Sequence, residues 1–481
     1  MTDATSTAPA EAPAKKKERI ESLDAFRGFT ILGMVFVIAV AAGGYQNEPY
    51  HDMPYGGLPQ QMRWFGSPPV STWFHAEVGW DLWHENFHRM AIAERGYTED
   101  EFNHLTREER AAISAEIQGE MEAHEHYPLR HIGCTFTDLI APWFVFIVGV
   151  CIPLSRRKRG AAFWKHALSR TLMLILMGML YISFVLRELA PWWGVLQAIG
   201  VAYLCGVLLT LLPSAGRWIT VFAVSIVYLL LTELWPAWTQ NPHWFPEWTG
   251  QVWAEIDRPF WTFVNPTGSE KRLLVIHCLP WLSISYGVMT MIGVLVGEVI
   301  REGGRQAFVR RSLIVSAIFI PIGYGIHRYG LMTEDWSLCM NKPEVTISYA
   351  LFTAGLGALV LLGFFLVIDV WRIRFWSKPL LVFGMNPLLA YFMMILMRRW
   401  IFDALGLTGI FDRVYPLRDD WGNPLVHNWA MCLEGWGIAP ESVAEFFRKS
   451  GYHGIMWGLI WTLCLWLIVR WFNRREIFWK L

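Results

Sequence analysis

The sequence predicts an all-α, polytopic membrane protein of about ten transmembrane helices, with both termini cytoplasmic and a helical extracytoplasmic insertion. Three observations carry that prediction. The chain has 481 residues, 54% of them hydrophobic and only 17% charged, with a mean hydropathy of +0.31; soluble chains carry about 25% charged residues. Apolar runs of about 20 residues, the length that crosses a bilayer, recur along it. Lys and Arg are sorted into alternate connections, as the positive-inside rule requires. The 28 Trp and 30 Phe suit aromatic belts at both lipid–water boundaries. A net charge of +0 carries no signature of nucleic-acid binding.

Residues 1–20 are rich in Ala, Thr and Pro and end in the basic run Lys15 to Arg19, which reads as a disordered basic tail. The first transmembrane helix, 21–43, follows it. Asp24 and Arg27 interrupt the apolar run and no clear small-residue cleavage site follows, so it reads as an uncleaved span rather than a signal peptide. Apolar runs near 24–43, 135–155, 166–186, 193–212, 218–235, 279–300, 312–329, 347–370, 380–397 and 452–472 give the spans. With both termini inside, the basic clusters at 15–19, 156–159, 217, 301–311, 372–378 and 474–475 all fall on the cytoplasmic side. Arg398 and Arg399 are the exception, and a pair at a helix end can snorkel. The units are then the tail, the first span, an extracytoplasmic insertion over 44–133, a membrane core of about eight helices over 134–397, an extracytoplasmic loop over 398–451, and the last span with its tail over 452–481.

The insertion becomes highly charged from Glu94 to Glu125. Thr98-x-x-Glu101 and Thr106-x-x-Glu109 both fit a capping box, predicting helices over roughly 99–104 and 107–126. Eight of the fourteen His lie between His51 and His131. His84-Glu-Asn-Phe-His88 matches the H-E-x-x-H zinc pattern, with two ligands and a base on one helix face. In a short His-rich segment such a match arises easily, so no metal is expected; a solvated amphipathic helix accounts for it. The seven Cys show no CxxC spacing, and Cys151, Cys205 and Cys464 lie inside apolar runs as small hydrophobes.

Ionisable groups at the mouths of apolar helices are costly to desolvate and are functional candidates. His131 and Asp138 flank the start of the second span. An acyl transfer to an amine needs a base or a nucleophile, and imidazole can be either near neutral pH. A nearby carboxylate can fix its tautomer and stabilise the imidazolium. Asp138 also fits a plain structural role, since Thr135-x-x-Asp138 resembles a capping box and the helix dipole favours an acid there. His126 is a rival imidazole. Asp24 and Arg27, at i and i+3, form either a surface ion pair or a cationic lip for a phosphate-bearing cofactor. Gln197 and Asn386 are polar residues in apolar runs, where they hydrogen-bond neighbouring helices or line a path. Gly384-Met-Asn-Pro387 breaks its span, which is tolerated beside a cavity. Asn341-Lys342-Pro343 makes either a turn or a polar clamp.

These same residues carry a resemblance. Ser22-Leu-Asp-Ala-Phe-Arg-Gly28, Gly133-x-Thr-x-x-Asp138-Leu with Pro142-x-Phe144, Gly194-Val-Leu-Gln197, Asn341-Lys342 leading to Ser348-Tyr-Ala-Leu-Phe-Thr-Ala-Gly355, and Phe383-Gly-Met-Asn386 occur in this order. The chain resembles the heparan-alpha-glucosaminide N-acetyltransferase family and its bacterial relatives. The resemblance implies acetyl transfer from acetyl-CoA, as co-substrate, across a membrane to the amine of a glucosamine. It carries the family's acid onto Asp138 and puts Asp24, Arg27, Gln197, Asn341, Lys342 and Asn386 along the cofactor path. It departs at the family's catalytic histidine, where Pro128 stands within His126-Tyr-Pro-Leu-Arg-His131. His131 or His126 must substitute. Ile38 and Ala198 replace a family Asn and Arg.

The expected function is therefore an acyl-CoA-dependent N-acyltransferase acting on an amino sugar or other periplasmic glycan. The expected location is the bacterial inner membrane, multi-pass, with the lipid bilayer and a small-molecule or glycan substrate as partners and a homodimer as the oligomeric expectation. The alternative is a transporter or flippase for a sugar- or lipid-linked substrate, although no internal repeat of the transporter kind is evident.

Overall fold

A helix stands at each of the ten apolar runs. The computed structural model describes residues 20–42, 134, 136–154, 160–186, 193–234, 262–264, 270–272, 282–302, 304–333, 335–342, 345–397 and 452–479, with isolated positions between 92 and 117. In chain order the helices are α1 (Glu21–Ala42), α2 (Phe136–Cys151), α3 (Ala161–Leu186), α4 (Val195–Leu209), α5 (Ser214–Leu234), α6 (Ser283–Glu302), α7 (Gly304–Thr333), α8 (Ile347–Phe365), α9 (Ser377–Met385), α10 (Pro387–Leu396) and α11 (Tyr452–Arg474). A π-helical turn, Leu366–Val370, continues α8. Among the described residues, five helical stretches are long and apolar enough to cross a membrane: Ala161–Phe184, Ser214–Thr232, Ser283–Ile300, Gly304–Thr333 and Ile347–Val370. Two shorter apolar helices, Asp138–Cys151 and Val195–Leu209, are buried among them.

The regular structure of the described residues is helical throughout except for one short hairpin. Two short strands, β1 (Thr262–Val264) and β2 (Glu270–Arg272), pair antiparallel with Phe263 opposite Lys271. Three-residue strands are too short for a hydropathy pattern to reveal, and helical and strand periodicities cannot be told apart at that length.

Glycine sets how closely the core helices approach. On α2 and α6 a Cβ at Gly149 would fall 2.0 Å from the Thr290 carbonyl oxygen, and Cβ atoms at Gly293 and Gly297 would fall 2.2 Å from those of Phe146 and Val150. This backbone-to-backbone contact is the small-residue packing used by membrane helices, which gain little from hydrophobic burial against each other in lipid. Gly28 and Gly384 bring α1 and α9 together in the same way, against the carbonyls of Leu380 and Asp24. Gly323 lies against the backbone of Ser348 and Phe352, and the Ser316 hydroxyl donates to the Gly355 carbonyl at 2.9 Å, joining α7 to α8.

The outward faces read as lipid-facing. Leu168, Leu172, Leu176 and Leu180 form an i, i+4 stripe on α3, each 46–56% exposed. Leu459, Leu463 and Leu467 repeat that pattern on α11. Such stripes are unusual against water and ordinary against acyl chains.

The bundle has two chemically distinct ends. At one, the Ser22 amide donates to Asp369 (3.3 Å), Arg374 pairs with Glu21 (3.2 Å), and the Ser377 hydroxyl donates to Glu21 (2.9 Å). At the other, the start of α2 meets the start of α8. Within the insertion, Ile92, Phe102 and Ile117 form a small satellite core with Tyr97, Leu105 and Ile113 packed on it. The capping box at Thr106 is present: its amide and hydroxyl both donate to the Glu109 carboxylate, at 3.0 and 2.7 Å.

Candidate active site

Pro142 shapes the start of α2. It lies four residues after Asp138 and has no N–H, so the Asp138 carbonyl cannot receive its helical hydrogen bond. The hydroxyl of Tyr349 supplies the bond instead, reaching from the first turn of α8 to that carbonyl. The Tyr349 side chain is buried, and this contact fixes where the Asp138 side chain starts.

The Asp138 carboxylate meets the ammonium of Lys342 at 3.0 Å. Asp138 is 6% exposed, while the Lys342 side chain keeps 29% of its surface open. A largely buried carboxylate is therefore paired with a basic side chain that still reaches solvent. Two residues expected in different roles, one catalytic and one cofactor-binding, are thus brought together. Cys134 lies within their field. Burial pushes its thiol well above the ordinary value, Asp138 adds to that, and Lys342 opposes it. The thiol is therefore neutral near neutral pH and is a poor nucleophile.

Asn341 is buried in the connection below Lys342, and its backbone N–H donates to the Thr346 hydroxyl at 3.0 Å. Gln197, fully buried in the first turn of α4, packs over Gly178 of α3, where a Cβ would fall 2.1 Å from its Oε1. Asn386 sits between α9 and α10, where Pro387 starts the second helix, so the break expected from the sequence is present. Its amide donates to Asn473 Oδ1 (3.3 Å) and the Ile477 carbonyl (2.8 Å), and its Oδ1 accepts the Trp479 N–H (3.1 Å). Both of its donors and its acceptor are thereby turned toward the C-terminal segment.

Arg27 lies at the opposite end of α2. Its guanidinium donates to Cys151 Sγ at 2.8 Å, approaches the Gly384 carbonyl at 3.5 Å, and pairs with Asp24 at 3.6 Å. The i, i+3 pair read from the sequence is therefore formed. Asp138 and Cys151 stand thirteen residues apart on one helix, which is about 20 Å at roughly 1.5 Å per residue. The anionic and cationic candidates thus occupy two ends of a single buried rod.

His131, His126, His84 and His88 lie outside the described residues, as does Thr135 of the capping-box-like pattern. Among the described residues, no group of three His, Cys, Asp or Glu is placed to hold a metal ion. Sequence reasoning did not single out Tyr349 or Thr346. Pro142 was the available signal for Tyr349, because a proline four residues beyond a buried carbonyl calls for a replacement donor.

The fold and its two polar ends define a class: a multi-helix integral membrane protein with a buried charged pair at the mouth of one helix. Residues 121–327 match the family model described as heparan-alpha-glucosaminide N-acetyltransferase, catalytic. Over that segment the resemblance seen in the motifs holds, and it points to a membrane transferase. Asp138, Gln197 and Cys151 lie inside the matched segment; Arg27, Asn341 and Lys342 lie outside it. A search of curated proteins finds no match.

Proposed function

We propose that this protein is a ten-span acyltransferase of the bacterial inner membrane, moving an acetyl group from acetyl-CoA to the amine of an amino sugar in a periplasmic glycan. The observation that carries this reading is the separation, along α2, of the Arg27 cation from the Asp138–Lys342 pair. The basic clusters support a cytoplasmic position for the Arg27 end. A phosphate-bearing cofactor suits a guanidinium there, and an extended pantetheine arm can traverse the roughly 20 Å to the other end.

At the far end the acceptor nitrogen attacks the thioester carbonyl. An N–C bond forms, the C–S bond breaks, and the amine proton passes to a base. His131, or His126 in its place, takes that proton, and the imidazolium so formed passes it to the departing CoA thiolate, which leaves as the thiol. Asp138 orients and stabilises the imidazolium, while Lys342 offers its ammonium to the oxygen that becomes negative in the tetrahedral intermediate. Gln197 lines the polar path through the apolar core. Asn386 is left out of it because its polar atoms are spent on the C-terminal segment.

The test uses purified protein in lipid nanodiscs with labelled acetyl-CoA and glucosamine. Arg27→Ala should weaken acetyl-CoA binding about tenfold or more, the loss of one charge-assisted hydrogen bond. His131→Ala should abolish transfer and leave binding intact. Unchanged binding after Arg27→Ala, or full transfer by His131→Ala, defeats the corresponding assignment. Substrate uptake without acetylation in proteoliposomes would favour a transporter instead.

A further inference from the structure

Lys342 is not carried by a helix. It belongs to a connection between α7 and α8 that turns through Val345 at φ 48°. That left-handed conformation is strained for a β-branched residue. Such strain persists only where the surroundings over-determine the backbone. Part of the constraint is local. The Thr346 hydroxyl donates to the Cys339 carbonyl at 2.8 Å and accepts the Asn341 N–H at 3.0 Å. The Thr346 N–H returns to the Asn341 carbonyl at 3.2 Å, and the Val345 N–H donates to the Lys342 carbonyl at 3.2 Å.

A further hold comes from another element. His327, on α7, is 0% exposed, and its Nδ1 accepts the Met340 N–H at 3.0 Å. Met340 lies two residues before Lys342. A neutral imidazole that accepts at Nδ1 carries its proton on Nε2. A buried imidazole on a rigid helix thus clamps one flank of the strained turn, and Thr346 closes the other. The proposed chemistry assigns no part to this histidine.

We propose that His327 is a positioning residue: through Met340 it holds the Lys342 turn so that the ammonium stays on Asp138. This rests on the reading that the Asp138–Lys342 pair is the reacting end. His327 itself touches no reacting atom. Its contribution is to keep a flexible cation in one place, and small displacements of such a group are costly for catalysis.

The test compares His327→Leu, which keeps bulk and loses the acceptor, with His327→Asn, which puts an amide oxygen close to the Nδ1 position. Thr346→Val, which removes the hydroxyl and keeps the shape, loosens the other flank. Two quantities are measured on the full-length protein in nanodiscs. One is the rate at which an amine-specific reagent labels Lys342, read by peptide mass spectrometry, which needs no enzymatic activity. The other is kcat and KM for acetyl transfer.

His327→Leu should label Lys342 several-fold faster and lower kcat about tenfold at nearly constant KM, as expected for loss of a bond worth about 1.4 kcal/mol. His327→Asn should return both readouts toward wild type, and Thr346→Val should resemble the Leu variant. A folded His327→Leu protein with wild-type labelling overturns the proposal. So does an Asn variant no better than Leu, since that describes packing alone. If the Leu variant does not fold, the Asn and Val variants decide: wild-type labelling in Asn with fast labelling in Val supports the clamp, and fast labelling in Asn overturns it. Should wild type transfer no acetyl group while the labelling pattern holds, the enzymatic reading fails and the clamp stands.

Discussion

At the scale of single residues, one proline has consequences well beyond its own position. Pro142 deprives the Asp138 carbonyl, in the first turn of α2, of its donor, and Tyr349 replaces it across a helix interface. Tyr349→Phe keeps the ring and deletes the hydroxyl, leaving a buried carbonyl unpaired. We expect a loss of about 1–3 kcal/mol in stability and a fall in transfer as Asp138 loses its register. Thermal unfolding in nanodiscs together with kcat checks both, and a Phe variant as stable and active as wild type would remove Tyr349 from the account. Asp138 and Lys342 were both visible in the sequence as polar residues at helix mouths. Their pairing was not, because 204 positions separate them (342 − 138) and only the approach of α2 to α8 closes that distance.

At the scale of elements, the helices at the apolar runs were legible because lipid imposes length and apolarity on any helix that crosses it. The break at Gly384-Met-Asn-Pro387 was legible for a similar reason, since proline cannot continue a preceding helix without losing a backbone bond. The partner of each helix was not legible, because glycines suitable for close packing occur on many of them. Gly293 is a clear example: it admits the Phe146 carbonyl of α2, and a Cβ there would clash with backbone rather than with a flexible side chain. Gly293→Leu should push α2 off α6, displace Asp138 with it, and destabilise the protein by roughly 2–4 kcal/mol, a severe overpacking cost. A conservative change at a lipid-facing site, Leu176→Val, should be near neutral and serves as the control. Equal unfolding temperatures for the two variants would sink the packing argument.

At the scale of the whole molecule, polarity divides between the ends. The end carrying Arg27 also carries Trp371, Arg372 and Phe375, with Trp371 63% and Phe375 78% exposed. Exposed aromatics beside arginine suit a headgroup boundary, which the proposed orientation makes the cytoplasmic one. Phe375→Cys should therefore react with a membrane-impermeant maleimide in inside-out vesicles and resist it in intact spheroplasts. The reverse pattern would invert the topology and with it the direction proposed for acetyl transfer. Glu298 of α6 stands between Arg217 of α5 and Arg311 of α7, at 2.7 Å from Arg311. This bridged anion ties three helix ends together near that same face.

The sequence by itself determined the membrane class, the positions of the helices, the break at Asn386, the capping box at Thr106 and the candidates at each helix mouth. Each of these follows from local physics: apolar length, a missing N–H, a hydroxyl three residues before a carboxylate. Only the tertiary structure decided that Lys342 answers Asp138, that Tyr349 repairs the gap left by Pro142, and that Asn386 serves the C-terminal segment. Those choices depend on which glycine faces admit which neighbouring backbones, and that is settled by packing between distant segments rather than by any window of the chain.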